Sequence, residues 1–264
     1  MTFLKKFLLT IITIKNLDTF FLDFFGLLKK KDVIYNLRNK LKIIARGSSS
    51  DTAEIIVINS DFEYPQKYFP RNNRPVIVDV GANIGLFSLY CFNEIKKLNP
   101  IIYAIEASLE NFKYLEKNIK INNAKNNIKI CNLAIYSKDG LGKINKNGDY
   151  DSFFVSERIT KDDKFEDIEL VRLETFCSRN NVKSIDLLKI DIEGGEYDVL
   201  QKSIEFIKNS TKSIFIEFHD MGGEKNSKKM INYLKDNNFE LIKQIKFNVF
   251  FFMNKSNIIL QHSS

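Results

Sequence analysis

Four short stretches of the chain carry residue types and spacings that could do chemistry. Gly81-Ala-Asn-Ile-Gly85 follows the apolar run Val76-Ile-Val-Asp-Val80, and glycines in a turn after a strand let backbone approach a ligand closely. Glu106 closes the next apolar run, Ile101 to Ile105. A carboxylate at that point can accept hydrogen bonds from both hydroxyls of a ribose. Three residues separate Gly81 from Gly85, so the G-x-G-x-x-G pyrophosphate pattern is not met and the pair reads as a site for adenosine without pyrophosphate. The third stretch is Leu187-Leu-Lys-Ile-Asp-Ile-Glu-Gly-Gly-Glu-Tyr-Asp-Val-Leu200. A strand's period of two puts Lys189, Asp191 and, with the strand extended, Glu193 on one side, with Asp191 at the carboxyl end. Gly194 and Gly195 allow a sharp turn into a helix, for which Glu196 is an N-terminal acid. The fourth stretch, Ile216-Glu-Phe-His-Asp220, puts Glu217 and His219 on a shared face. The chain has two histidines and the other, His262, lies among the last three residues, so any histidine base is His219. Its ordinary pKa suits general-base work near neutrality. Mixed Asp, Glu and His at strand ends could also ligate a metal, but the pattern is weak and none is assigned.

The elements that must position these residues are legible as apolar runs: Val76 to Val80, Ile101 to Ile105, Ile128 to Leu133, Ile185 to Ile190 and Ile214 to Phe218. Helical periodicity fills Ser108 to Ile121 and Glu196 to Ile207. Runs apolar on both faces imply a parallel sheet covered on both sides, an α/β sandwich. Phe239 to Ile245 and Asn248 to Met253 read as two strands joined by a tight turn, so the sheet is expected to end with an antiparallel member. We divide the chain into an extension, 1–74, and a main domain, 75–264. In the extension, apolar residues from Phe3 to Leu28 recur at the spacing of one amphipathic helix. Such a helix wants a surface, either the body of the protein or a twin subunit, or a membrane face. A hairpin of Val33 to Asn36 and Leu41 to Ala45 follows.

Composition bounds the function. The net charge is +7, and residues 1–46 hold ten Lys or Arg against three acids, which leaves 30 against 30 elsewhere. Lys and Asn are common throughout, so the basicity needs no nucleic-acid partner. The apolar run Phe7 to Ile14 is interrupted by Lys15 and Asp18, well short of a membrane span, and no small-residue cleavage site follows it. Cys91, Cys131 and Cys177 are odd in number and lack metal-ligand spacing, which points to a reducing compartment. We therefore expect a cytoplasmic protein, with peripheral contact of residues 1–46 at the inner face of the membrane left open.

The stretches VIVDVGANIGLFSLY, IYAIEASLENFKYLEKNI, LAIYSKDG and LLKIDIEGGEYDVL, in this order and spacing, resemble the FkbM family of S-adenosylmethionine-dependent methyltransferases. The resemblance covers roughly 75–220. It implies a Rossmann-like, mostly parallel seven-stranded sheet with one antiparallel strand, S-adenosyl-L-methionine as cofactor, and O-methylation of a hydroxyl on a sugar, a glycan or a related small molecule. Carried onto this sequence, it puts Asp79, Gly81, Asn83 and Gly85 around the methionine part of the cofactor, Glu106 on the ribose, and the stretch from Asn132 to Ala134 beside the adenine. Asp191 and Glu193 would face the methyl group. Ala107-Ser108 departs from the proline that often follows the glutamate in the family. The general base would be His219 or the Asp191/Glu193 pair. The acceptor is expected to use the segment from Gly140 to Arg172, which includes Tyr150-Asp-Ser-Phe-Phe154. Two other readings compete: an NAD-dependent oxidoreductase, and a catalytically silent membrane-surface or scaffold protein that retains the cofactor fold.

Overall fold

The apolar runs become the strands of one central sheet. The computed structural model describes residues 3–145, 165–220 and 226–262. The first elements are α1 (Phe3–Thr13), α2 (Leu17–Phe24), β1 (Asp32–Asn36), β2 (Lys42–Arg46) and α3 (Asp51–Asn59). The body begins with β3 (Val76–Val80), α4 (Leu86–Ile95), β4 (Ile101–Ile105), α5 (Leu109–Ile121), β5 (Ile128–Cys131), β6 (Ala134–Ile135), β7 (Gly140–Asn145) and β8 (Phe165–Val171). It continues with α6 (Leu173–Arg179), β9 (Leu187–Ile190), α7 (Glu196–Ser210), β10 (Ser213–Glu217), α8 (Ser227–Asp236), β11 (Phe239–Gln244), β12 (Val249–Asn254) and α9 (Lys255–His262). The seven-stranded sheet runs β11-β12-β10-β9-β3-β4-β5. Its contacts from β10 through β5 are parallel, and β12 is antiparallel to both of its neighbours. The last strand is the reversed member, as expected, but it slots between β10 and β11 instead of taking the edge.

Each strand feeds two cores by its period of two. Ile77, Ile102, Leu187, Phe215 and Phe251 enter the layer shared with α4, α5 and the extension. Val78, Tyr103, Leu188, Ile214 and Phe252 enter the layer under α7 and α8. Both faces are dry, which is why the strands read as continuous apolar runs. A smaller sheet, β6-β8-β7, stands beside the main one. Thus 140–145 and 165–171 are paired strands, while Tyr150 to Phe154 lie outside the described residues.

The single helix expected over Phe3 to Leu28 is two helices. Ile14 leaves the helical path to form an antiparallel bridge with Leu37. Lys15 N donates to Asn36 O at 2.8 Å, and the Asn16 amide donates to Ile34 O at 2.9 Å while accepting from Asn36 N at 2.8 Å. Pairing with the hairpin overrides the local helical preference, which is a weak prior. The free edge of β2 is closed by amides of α5 in place of another strand. Asn118 accepts from Ile44 N at 2.7 Å and donates to Ile44 O at 3.0 Å. Asn122 does the same for Lys42 at 2.9 and 2.7 Å. The aromatic residues after α3 complete the attachment, with Tyr64 edge-on to Phe87 at 4.9 Å and Tyr68 stacked on Phe251 at 4.4 Å. Among the described residues, no helix is long and apolar enough to cross a membrane.

One buried ion pair ties the hairpin to α3, and its arginine reaches the body. Arg46 grips both oxygens of Asp51, at 3.0 and 2.7 Å, and reaches Asn111 of α5 at 2.8 Å. Truncating one partner of such a pair leaves a buried charge uncompensated. Arg46→Ala is expected to lower the unfolding free energy by about 3–5 kcal/mol in a denaturant titration. A loss below about 1 kcal/mol would show that the pair is worth no more than an exposed one.

Candidate functional site

The chain goes outward from β3 to β4 and β5, then returns to the other side of β3 at β9. Where strand order reverses in this way, a crevice opens outside the carboxyl ends of the strands. A cavity of about 500 Å³ lies there. Gly81 forms its floor with φ +81°, and a Cβ on it would stand 1.8 Å from the backbone oxygen of Asp191. Nothing but glycine fits between the two strand ends. Gly81 N and Ala82 N both donate to Ile105 O, at 3.0 and 2.9 Å, which folds the turn back over β4.

Glu106 marks one end of the cavity. Its two oxygens accept from Asn83 N at 2.8 Å and Ser108 N at 2.9 Å. Burial pushes its pKa up, against the pull of these bonds and of Lys189. Asn83 adopts φ +49°, and its side chain donates to Glu54 of α3 at 3.1 Å. Asn132 donates to the carbonyls of Glu106 and Ala107, both at 2.9 Å, and so shapes the loop between them. Ala134, on β6, forms part of the wall.

The other end is crowded with carboxylates. Lys189, buried on β9, donates to Gly81 O at 2.7 Å and lies 3.3 Å from Asp79 and 3.4 Å from Asp191. Burial alone would depress its pKa, but Asp191 and Asp79 outweigh burial and hold it above the usual lysine value. Glu196, fully buried at the start of α7, accepts from Ile192 N and Gly194 N at 3.0 and 3.1 Å. The same Glu196 oxygen takes His219 Nδ1 at 3.0 Å. Since a carboxylate there can only accept, Nδ1 carries the proton and Nε2 faces the cavity. Around Nε2 stand Glu193 at 3.4 Å, Glu217 at 3.9 Å and Asp191 at 4.0 Å. Burial opposes a charge on His219, yet Glu196, Glu193 and Asp191 prevail and raise its pKa to about 9. Burial, then Asp191 and Glu63, raise that of Glu217 to about 8. His219 is therefore already protonated at neutral pH in the unliganded protein. The ordinary pKa assumed from the sequence is displaced because Glu196, Glu193 and Asp191 converge on the imidazole.

Of the residues singled out in the sequence, Gly81, Asn83, Glu106, Ala134, Asp191, Glu193 and His219 line the cavity. Asp79, Gly85 and Asn132 do not, and each acts from behind the wall. Asp79 is buried, accepting from Ser88 at 2.6 Å, with its other oxygen beside Lys189 and without a well-formed hydrogen bond. Gly85 has φ +92° at the start of α4, where a Cβ would meet Leu115 at 2.6 Å. Asn132 spends its amide on the loop after Glu106, as above. Sequence reasoning missed Glu54 and Tyr64 from the extension and Lys246 from the β11–β12 turn, which also line the cavity. No motif marks them. Lys246 pairs with Glu63 beside the carboxylate end. Asp191, Glu196 and His219 bring one ligand atom each within 4.8 Å of one another, but Glu196 is occupied by backbone N–H groups and the imidazole.

The Methyltransferase FkbM domain family matches residues 79–241. Methyltransferase sdnD of Sordaria araneosa is 28% identical over 195 residues, covering 63% of this chain and 74% of that protein. Methyltransferase 1 of Beauveria bassiana (strain ARSEF 2860) is 25% identical over 171 residues, covering 56% and 66% respectively. A solved structure of methyltransferase FkbM from Methylobacillus flagellatus KT aligns with a TM-score of 0.48 at 14% identity over 74% of this chain. The present chain spans 47%, about half, of that structure's chain.

The electrostatics give a pH prediction. His219 and Glu217 both have folded pKa values above their ordinary ones, so the folded state binds more protons than the unfolded state up to about pH 9. Their protonation stabilises the fold at low pH, and that contribution is lost as pH rises through about 8 and 9. The thermal midpoint of the unliganded protein should fall between pH 6.5 and 9 by roughly 4–8 °C, about 2 kcal/mol. Glu217→Gln, which keeps an acceptor for Asn248, should flatten the profile. A flat wild-type profile would show that the carboxylates are relaxed apart in solution.

Proposed function

The chain belongs to the FkbM methyltransferase domain family, whose cofactor is S-adenosylmethionine, and from that premise we propose that it methylates a hydroxyl group of a sugar, a glycan or a related small molecule. The observation that carries this reading is the polarity of the cavity: a ribose-type carboxylate, Glu106, at one end and the Asp191, Glu193, Glu217 and His219 cluster at the other. The residues fit the cofactor. Glu106 keeps acceptor capacity beyond its two backbone donors for a pair of hydroxyls. The bare backbone of Gly81 leaves room above the floor. The acids facing the cavity, Glu54, Glu63, Glu106, Asp191, Glu193, Asp198 and Glu217, outnumber Lys189 and Lys246, so a cationic ligand is favoured.

When bound, S-adenosylmethionine supplies a methyl group already activated by its sulfonium. The work left to the protein is to hold the acceptor oxygen in line and to take its proton. Alignment alone can supply a large part of the barrier reduction. Any positive charge brought beside the carboxylates draws the pKa values of His219 and Glu217 down toward neutrality. His219 Nε2, with Nδ1–H anchored on Glu196, then becomes a proton acceptor with Asp191 and Glu193 beside it. The same acidic rim disfavours a polyanionic substrate, which is why we do not assign a nucleic acid. The free Cys91, Cys131 and Cys177 suit a reducing cytoplasm.

Two measurements test the reading. At 100 times the dissociation constant, S-adenosylmethionine or S-adenosylhomocysteine should raise the thermal midpoint by roughly 5–10 °C, and NAD should not. Glu106→Ala should remove most of that shift. The absence of any shift at millimolar concentration would refute the cofactor assignment. With a sugar acceptor in hand, His219→Ala and Glu193→Ala should each lower turnover by about 10²- to 10⁴-fold, the usual worth of a positioned base. Near wild-type turnover in both would move the base elsewhere.

A further inference from the structure

We infer that the N-terminal helices dock the protein on an anionic membrane surface. The inner sides of α1 and α2 are already engaged. Thr10, Thr13, Ile14 and Asp23 are buried, and Leu9, Leu17 and Phe20 pack on the core. Packing on the body, the alternative use of this segment, is thus accounted for, and an apolar outer side remains. Among the described residues, thirteen large hydrophobic side chains are exposed, and eight of them fall between Phe7 and Leu27. Scattered exposed apolar residues need no explanation, but a cluster does.

The cluster has a ridge and a charged flank. Phe24 and Phe25 are 67% and 70% exposed. Their rings meet edge to face at 5.5 Å, and Phe24 stacks on Phe20 at 6.0 Å. Rings held this way project as a unit with little conformational entropy left to lose. The exposed residues Lys29, Lys30 and Lys31 follow directly, and Lys15 precedes. Asp18 is the one exposed acid between 7 and 31. The net excess of positive charge in residues 1–46 equals that of the whole chain. Aromatic and aliphatic side chains flanked by lysines suit the headgroup boundary of a bilayer, where the rings reach the acyl region and the ammonium groups stay among phosphates. A second copy seated on the same patch would bring these lysines toward their like, which disfavours it.

The full chain should co-sediment with phosphatidylcholine vesicles containing roughly one quarter phosphatidylglycerol and stay in the supernatant with phosphatidylcholine alone. Phe24→Ser with Phe25→Ser should weaken binding by roughly tenfold or more. Neutralising Lys29, Lys30 and Lys31 to Gln should weaken it by about fivefold per lysine, on the order of a hundredfold together. All these side chains are exposed, so the thermal midpoint should be unchanged in both variants, which separates docking from folding. Failure to bind anionic vesicles, or equal binding of both variants, would overturn the proposal. So would a concentration-dependent dimer that the Phe24→Ser, Phe25→Ser variant dissolves, because the ridge would then be the seat of a second copy.

Discussion

Lys189 and Asp79 are partners across the parallel pair β9 and β3, and the ion pair between them joins the two sides of the switch point. Both side chains are buried, so the pair survives only because its neighbours complete it. The ammonium also donates to Gly81 O and faces Asp191, which binds the glycine turn to the end of β9. That contact is so close that Gly81 cannot carry a Cβ. One buried cation thus ties the glycine turn, two strand ends and the first carboxylate of the cluster together. The cavity floor follows from it.

The same crowding explains the charge state of the site. Asp191, Glu193, Glu196 and Glu217 come from the end of β9, the start of α7 and the end of β10, and they meet around one imidazole. Burial, then neighbouring acids, raise the proton affinity of Glu217, and at His219 the acids outweigh burial, which appears as two elevated pKa values. Without a ligand the cluster stores a cation as a proton. A positively charged ligand can replace that proton, so the field that costs stability in the empty site becomes binding energy in the filled one. Sites of this kind trade stability for function.

The parallel strands could be read from the sequence because burial on both faces erases alternation and leaves plain apolar runs. Glu106 could be read because its distance from Gly81 follows from one strand-helix-strand unit. The pKa of His219 could not, since it is set by groups that are close in space and not in register. Nor could α3 be assigned. Ile55-Ile56-Val57-Ile58 is β-branched and favours a strand by propensity. It is helical, with acids in its first turn, and packed against α4, so tertiary contacts decided it. The break at Ile14 has the same origin, because the residues that pair with it lie beyond the window in which helical periodicity is counted.

Helix α3 also changes what the extension is. Glu54 receives the Asn83 amide and holds a left-handed residue of the cofactor turn in place, while Thr52, two residues earlier in the same turn, donates to Asp23 of α2 at 2.9 Å. Asp23 further accepts from Tyr35 at 2.5 Å and from Ser48 N at 2.6 Å. The first turn of α3 therefore bonds to α2 through Thr52 and to the cavity wall through Glu54. Residues 1–74 are structurally inseparable from the site, for their loss would strip Glu54 and Tyr64 from the wall and uncover the core face of α4. The segment that carries the excess charge and the apolar ridge is thus also the segment that closes the cavity.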